Sequence, residues 1–385
     1  MNINNKSFCL NNQRSKIFLI VALLIQVCFT VNGQINRESV KNKPLRLGII
    51  GLAHDHVHGV FQNIQNKDIE IVGIAESDTA LVTRYVKQYH IDRKIIYNNI
   101  EELIAKAKPE AVSVFAPISD HIKIVRICAP HRIHVMVEKP LAINYEQAKE
   151  MKVLADKWGI EIITNYETTW YPVTKESYIK INQDKLIGDI RKVVVHDGHK
   201  GPIEIGCSKD FTNWLTDPEH NGGGAIIDFG CYGTDLISYL MNGERPISVT
   251  AITQQIKPEV YPKVDDEATI IVTYPHAQGI IQASWNWPIG RKDMEVYGKT
   301  GYVITTDNVH MKIKTSEQSP EQLLTIGTDK AIANNPFSFF ASVVRGNIKL
   351  APNDPSSLSL NLVAMEILYS AVLSSKEGKT IYLKH

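Results

Sequence analysis

Three groups of residues in this chain have the types and spacing that chemistry needs. The first is Glu138-Lys139-Pro140, which closes the apolar run "IHVMVEKP". A lysine at the end of a strand can donate to a hydroxyl or carbonyl oxygen, and burial would lower its pKa toward the range useful for proton transfer. A solvated lysine is the plainer reading of that residue alone. The second group lies in "WLTDPEHNGGGAIIDFGCYGTDLISYL", where three glycines open a helical pattern. Asp228, Tyr232, Asp235 and Tyr239 recur there at helical spacing and form one narrow polar stripe. We read the stripe as one wall of a ligand site, because a merely solvated face needs neither the glycines nor the tyrosines.

The third group is "GLAHDHVHG", Gly51 to Gly59, with His54, His56 and His58 at alternate positions. If a helix starts near Asp55, His56 and His58 point about 200° apart. A zinc pair on a helix needs spacing of i, i+4, so no metal is expected. The place is more telling than the histidines. A strand, a tight turn and a helix start describe a dinucleotide phosphate loop, with Gly51, Ala53 and His56 at the three glycine positions of Gly-x-Gly-x-x-Gly. Leu52 and His54 lie between them. Gly51 suits the turn, Ala53 adds a methyl group, and His56 gives up the third glycine's close packing; an ordinary strand-to-helix turn is the plain alternative. Asp55 can cap the helix but would repel a phosphate bound there. Glu76 ends "IVGIAE" and is placed to accept from ribose hydroxyls, which favours NAD over NADP.

The elements that would position these groups change rhythm once. From 44 to 165, short apolar strands alternate with helical patterns, which implies a parallel sheet with right-handed crossovers. From Tyr166 onward, "GDIRKVVVHDG", "PISVTAITQQI", "EATIIVTYP" and "GIIQASWNWP" read as longer strands of an open, largely antiparallel sheet covered on one face. The expected fold is α/β, with a Rossmann dinucleotide-binding domain over 44–165 and a second α/β domain, built on the open sheet, over 166–385. The closing helix in "SLSLNLVAMEILYSAVLSS" is able to pack back on the first domain.

Upstream, Lys6, Arg14 and Lys16 precede the apolar run "IFLIVALLIQVCFTV", and Val31 and Gly33 form a small-residue exit. This is the pattern of a secretory signal over 1–33, followed by a polar linker over 34–43. The run is short for a membrane span, so export, to a bacterial periplasm, is expected ahead of a retained anchor. Lys plus Arg (42) balances Asp plus Glu (41), which gives no footprint for nucleic acid or an acidic membrane. Cys128, Cys207 and Cys231 allow at most one bridge.

Taken in order, "GIIGLA", "AESD", "FAP…H", "VEKPLA", "WLTDPEHNGGGAIIDFGCYGTDL", "VDDEATIIVTY", "SWNWP" and "VYGKTG" resemble the Gfo/Idh/MocA oxidoreductases, the family of glucose–fructose oxidoreductase and inositol dehydrogenase. The likeness runs from about Pro44 to the C-terminus. The resemblance implies a Rossmann domain holding NAD, with Ala116, Pro117, His121 and Glu138 added to the cofactor-binding set. It also implies a second domain that binds a sugar or polyol and often supplies a dimer face, so a homo-oligomer (dimer or tetramer) is expected. The family's lysine matches Lys139 and its aspartate matches Asp228. Its usual proton-accepting histidine is replaced by Tyr232, which we expect to pair with Lys139 as a coupled acid and base. The rival is that Lys139 shuttles the proton and Tyr232 only binds substrate. Tyr166, Trp170 and His220 complete the expected substrate site; Tyr171, His196 and His199 are further candidates, and the two aromatic residues at 170–171 suit a sugar-stacking face or the core equally.

These expectations describe an exported NAD-dependent oxidoreductase acting on a carbohydrate hydroxyl, with its cofactor held tightly because free NAD is scarce outside the cytoplasm. Two alternatives stand beside it: an NAD-dependent glycosidase that oxidises, eliminates and reduces again, and a non-catalytic sugar- or dinucleotide-binding homologue.

Overall fold

A computed structural model describes residues 43–62, 66–327 and 335–384, so the expected signal and nearly all of the linker lie outside the described residues. The first layer is a six-stranded sheet in the order β3-β2-β1-β4-β5-β6, parallel throughout. Its strands are β1 (Leu45–Ile50), β2 (Ile69–Ala75), β3 (Ile96–Tyr97), β4 (Ala111–Val114), β5 (His134–Glu138) and β6 (Ile162–Asn165). Its helices are α1 (Val57–Gln62), α2 (Thr79–Tyr89), α3 (Ile100–Ala107), α4 (His121–Cys128) and α5 (Tyr145–Trp158). β4 is buried along its whole length, as a strand covered on both faces must be. Local chemistry sets the boundaries: Asp78 caps α2 by accepting from the Ala80 and Leu81 amides, and Gly159 ends α5 in the left-handed conformation.

After α6 (Pro172–Tyr178), β7 (Ile190–Gly198) enters a nine-stranded sheet of order β14-β13-β12-β11-β7-β10-β9-β8-β15. Only the β7–β10 pair is parallel, so the sheet is largely antiparallel as expected. Its strands are β8 (Ser248–Gln254), β9 (Glu267–Thr273), β10 (Gln278–Ser284), β11 (Arg291–Gly298), β12 (Tyr302–Thr305), β13 (His310–Lys314), β14 (Gln322–Thr325) and β15 (Ile381–Tyr382). Burial alternates along β9 and β10, the mark of one covered face. The helices between β7 and β8 are α7 (Lys209–Leu215), α8 (Pro218–Asn221), α9 (Ala225–Asp228) and α10 (Gly230–Leu240); α11 (Pro336–Val344) and α12 (Leu358–Glu377) follow β14. The cover of the sheet is α10 and α12.

Three features depart from the sequence reading. The 336–344 helix belongs with the first domain: Phe337, Phe339 and Phe340 join the core of β1 and β2, and Arg345 pairs with Glu110. The glycine segment does not open one helix; α9 and α10 are separated at Phe229. The stripe it carries is also buried, with Asp235 fully enclosed and Tyr239 stacked on Tyr178 at 4.4 Å, while its first two members, Asp228 and Tyr232, meet Lys139. The three described cysteines are free.

Gly224 sets the entry to α9. Its amide and that of Ile226 donate to the Asp265 carboxylate (2.8 and 2.7 Å), and a Cβ on Gly224 would fall 1.8 Å from the Asp265 carbonyl oxygen. Backbone that close cannot yield as a side chain can. Gly224→Ala is expected to lower unfolding stability by about 1–3 kcal/mol in urea titrations, the range for overpacked core sites; a change within about 0.5 kcal/mol, typical of surface sites, would contradict the packing described.

Candidate active site

The carboxyl ends of the parallel strands face the second domain, which is where an open α/β sheet binds its ligand. Gly51 turns the chain out of β1 at φ +80°, and a Cβ there would lie 2.9 Å from the Ala116 nitrogen and the Phe115 oxygen. The His54 amide donates to the Phe115 oxygen (3.1 Å). Glu76, at the end of β2, accepts from the amides of Leu52 (2.9 Å) and Asp78 (2.8 Å). Gly51, Leu52, Ala53, Glu76, Ala116 and Pro117 are thus gathered on one rim. His121 lies beneath it, fully buried; its Nδ1 bonds the Leu141 carbonyl at 3.2 Å and its Nε2 is buried without a protein partner. Burial holds His121 neutral, with a pKa down to about 4. The glycine that admits no side chain, the acid at the end of β2 and the unpartnered buried imidazole fit a dinucleotide laid across this rim.

A segment that the sequence reading left unassigned covers the loop. Phe211 and Trp214 of α7 pack on the His54 ring at 4.6 and 5.4 Å, and the Trp214 indole N–H donates to the Ala53 carbonyl (3.3 Å). Asp55, expected at a helix cap, is engaged from the other domain: its carboxylate accepts from the Ser208 amide (2.8 Å) and hydroxyl (2.5 Å), and α1 starts later, at Val57. Arg84 pairs with Asp210 across the same boundary at 2.6 Å. His54 is therefore an enclosed packing residue; burial drives its pKa well below the ordinary histidine value.

Deeper in the cleft, the buried Lys139 ammonium bonds the Asp228 carboxylate at 2.5 Å and the Asp228 carbonyl at 3.0 Å. The other carboxylate oxygen accepts from the indole N–H of Trp285 at 2.9 Å, a fully buried residue at the end of β10. Burial alone would pull the Lys139 pKa down, as the sequence reading expected. The adjacent carboxylate outweighs it, and the pKa is held up at about 12. Burial likewise works against the Asp228 anion, but Lys139 holds its pKa below the usual carboxylate range.

Tyr232 lies between two cations, with the Lys139 and Lys292 ammonium groups 5.0 and 4.7 Å from its ring centre. They face the ring, not the hydroxyl. Burial and the surrounding carboxylates, Glu167 foremost, hold the phenol pKa well above its ordinary value, so the expected lowering by Lys139 does not occur. Sequence reading missed Lys292 and Glu167. Lys292 of β11 pairs with Glu167, which also accepts from the Tyr171 hydroxyl at 2.5 Å, and it sits opposite the fully buried Asp197 of β7. The cross-strand register carries this grouping, and a single sequence does not display it. His199 packs edge-on against Phe229 at 4.8 Å, within electrostatic reach of Asp228.

Several expected substrate residues are placed elsewhere. Tyr166 is fully buried under Tyr232, in edge contact at 5.7 Å, with its hydroxyl beside Asp235. Trp170 packs on Phe339 and donates to Asn165 (2.7 Å), so it props the first domain. His220 is exposed on α8, 3.2 Å from the Ser119 hydroxyl. His196 and Asp293 bond each other at 3.1 Å on the opposite sheet face from Asp197 and Lys292. The loop histidines diverge as expected: His58 bonds Tyr89 and His56 bonds Glu138. His54, His56 and Glu138 do, however, bring three potential ligand atoms within 4.8 Å of one another, a grouping hidden by the long separation of Glu138.

Residues 45–166 match the family model described as an oxidoreductase family with an NAD-binding Rossmann fold, and residues 179–304 match the GFO/IDH/MocA C-terminal domain. Trans-1,2-dihydrobenzene-1,2-diol dehydrogenase of Xenopus tropicalis is 29% identical over 187 residues, 48% of this chain and 52% of that protein. The Sus scrofa protein of the same name is 24% identical over 247 residues, 64% of this chain and 68% of that protein. The chain thus spans about half the length of the first of these relatives. Among solved structures, aldose-aldose oxidoreductase from Caulobacter crescentus complexed with glycerol aligns at TM-score 0.74 and 20% identity, over 89% of this chain and 100% of that one. An inositol dehydrogenase homolog from Azotobacter vinelandii complexed with NAD+ aligns at TM-score 0.76 and 18% identity, over 89% and 98%.

The Lys139–Asp228 pair has a pH signature. Asp228 has a depressed folded pKa, so its contribution to stability is present above the unfolded value of ~3.9 and is lost as pH falls through the folded value. Lys139 contributes fully below its unfolded value of ~10.4, and that contribution fades as pH rises through about 12. Asp228→Asn is expected to cost about 3–5 kcal/mol near neutral pH, since it strands a buried charge. It should also flatten the acid limb of stability below pH ~4. Urea titrations across pH check both; an acid limb as steep as wild type would contradict the assignment.

Proposed function

Because the chain belongs to the Gfo/Idh/MocA oxidoreductase family, we propose that it is an NAD-dependent dehydrogenase acting on a hydroxyl of a sugar, polyol or related cyclic diol. The observation that carries this reading is the buried Lys139–Asp228 pair, which joins the carboxyl end of β5, beside Glu138, to the second domain. Gly51, Leu52, Ala53, Glu76, Ala116 and Pro117 would hold the dinucleotide, which supplies the hydride acceptor when bound.

The chain's own groups divide the remaining work. Lys139 stays charged because Asp228 holds it so, and an ammonium there stabilises the negative charge that builds on a hydroxyl oxygen during oxidation. Trp285 fixes Asp228, which fixes Lys139. Tyr232, kept protonated, hydrogen-bonds the substrate; this favours the rival reading of its role over a coupled base. Lys292, Glu167 and Tyr171 offer a second charged edge suited to the further hydroxyls of a polyol. The names of the relatives and neighbours support this class: a diol dehydrogenase, an aldose-aldose oxidoreductase with glycerol and an inositol dehydrogenase homolog.

The proposal includes export, supported by the apolar run after Lys16, and a tightly held cofactor, supported by Phe211 and Trp214 closing over the loop. A cofactor kept in place suits a second sugar as oxidant. It equally suits a glycosidase whose redox steps cancel, and release of an aglycone without net reduction of an acceptor would mark that course. A homo-oligomer formed through the open sheet face, where Ile252 and Leu323 are exposed, completes the proposal.

Two measurements test the core of it. Mass spectrometry of the supernatant from denatured protein should show near-stoichiometric NAD(H); NADP(H) instead would overturn the reading of Glu76, and an empty protein that fails to take up NAD would overturn the function. In polyol oxidation, Lys139→Met should lose about 10²–10⁴-fold in kcat/KM, whereas Tyr232→Phe should lose only about tenfold, the worth of one hydrogen bond. The reverse ranking would return Tyr232 to the role of base.

A further inference from the structure

Oxidising a hydroxyl releases a proton, and the two groups matched to the family's chemistry are poorly suited to take it as placed. Lys139 is already an ammonium locked to Asp228, and Tyr232 is already protonated. The histidines around the cleft can be sorted by which ring nitrogen is committed. His199 Nδ1 accepts from the Gly201 amide (2.9 Å), so neutral His199 carries its proton on Nε2 and has no free lone pair. His54 Nδ1 accepts from the His56 amide (3.2 Å), with the same consequence, and its ring is enclosed by α7. His121 is enclosed below the rim.

His56 is the opposite case. Its Nδ1 lies 2.8 Å from a buried carboxylate oxygen of Glu138, so Nδ1–H donates and Nε2 keeps its lone pair. The carboxylate is itself fixed: its other oxygen accepts from Asn165 Nδ2 (2.7 Å), and Asn165 Oδ1 accepts from the Trp170 indole N–H (2.7 Å). Trp170, Asn165, Glu138 and His56 form one directed chain that ends on an imidazole whose side chain is 39% exposed. An imidazole backed by an oriented carboxylate is the arrangement that general bases use to hold one tautomer and to stabilise the imidazolium once formed. The other ionisable groups facing His56 are Glu167 from the second domain and His54 behind it, with Lys139 next to Glu138 in the chain. The residue stands at the third glycine position of the dinucleotide loop, where only a side chain added by this sequence could reach Glu138.

Resting on the dehydrogenase reading above, we propose that His56, oriented by Glu138, is the acid/base residue that takes the substrate's hydroxyl proton. The O–H bond breaks and its proton passes to His56 Nε2. With NAD held on the rim as oxidant, the carbinol hydrogen would leave with its electron pair as hydride, and the carbon–oxygen bond would become a carbonyl. In the reverse direction the imidazolium returns the proton. Lys139 then serves as the fixed cation for the oxygen, and the proton acceptor comes from the dinucleotide loop in place of Tyr232.

The first readout needs no substrate. In ¹⁵N-histidine spectra of the full-length protein, the resonance lost in His56→Asn should belong to an Nδ1-protonated ring; an Nε2-protonated His56 would overturn the proposal. In turnover, His56→Ala should lower kcat for oxidation by about 10²–10⁴-fold, and added imidazole should restore part of the rate. NADH binding, followed by fluorescence, should stay within threefold of wild type. Lost NADH binding with kcat retained at saturating NAD would make His56 a cofactor-binding residue and end the proposal while leaving the dehydrogenase reading intact. A wild-type protein that binds no dinucleotide would end both.

Discussion

The constraint on which the site depends is a buried ion pair made from two domains. Lys139 follows directly on β5 and Asp228 ends α9, 89 residues later, and both charges are buried. Removing two charges from water costs several kcal/mol per ion, so such a pair persists only where further hydrogen bonds hold it. Trp285 provides one from the second sheet, and the Asp228 carbonyl provides another. Much of the surrounding sequence serves that meeting: the glycines that let α9 start against Asp265, the parallel β5 that delivers Lys139, and α10, which carries Tyr232 over both. A lysine so held is a permanent positive charge rather than a titrating base, which fixes what it can contribute to catalysis.

That shift in role is where sequence and structure part. The alternation of strands and helices up to residue 165 and the largely antiparallel sheet after it are local properties, and they were legible; Glu-Lys-Pro and Asp228 stood out by motif, and the structure brings Lys139 and Asp228 together. The direction of the Lys139 pKa was not, because burial and pairing act in opposite senses and only the distance to Asp228 decides between them. Tyr166, Trp170 and His220 were drawn into the site because they are aromatic or ionisable and fall near it in the chain; their directions came from packing that one sequence does not show. Lys292 and Glu167 were invisible for the converse reason, since a cross-strand register and a salt bridge bring them to Tyr232.

The dinucleotide loop illustrates how departures from a motif can be coupled. Ala53, Asp55 and His56 each weaken the glycine pattern when taken singly. In the fold, the Ala53 carbonyl is a landing point for Trp214, Asp55 fastens Ser208, and His56 bonds Glu138. The same replacements that blur the motif tie the second domain's α7 across the loop and place an imidazole in the cleft.

The central claim is that Lys139 and Asp228 act as a single unit, and a double-mutant cycle measures that directly. Lys139→Met, Asp228→Asn and the double variant would be compared by urea unfolding and by turnover at saturating NAD. The account predicts strong non-additivity: the double variant is no less stable and no slower than the worse single variant, because either change already breaks the unit. Single effects that simply sum in the double variant would contradict it.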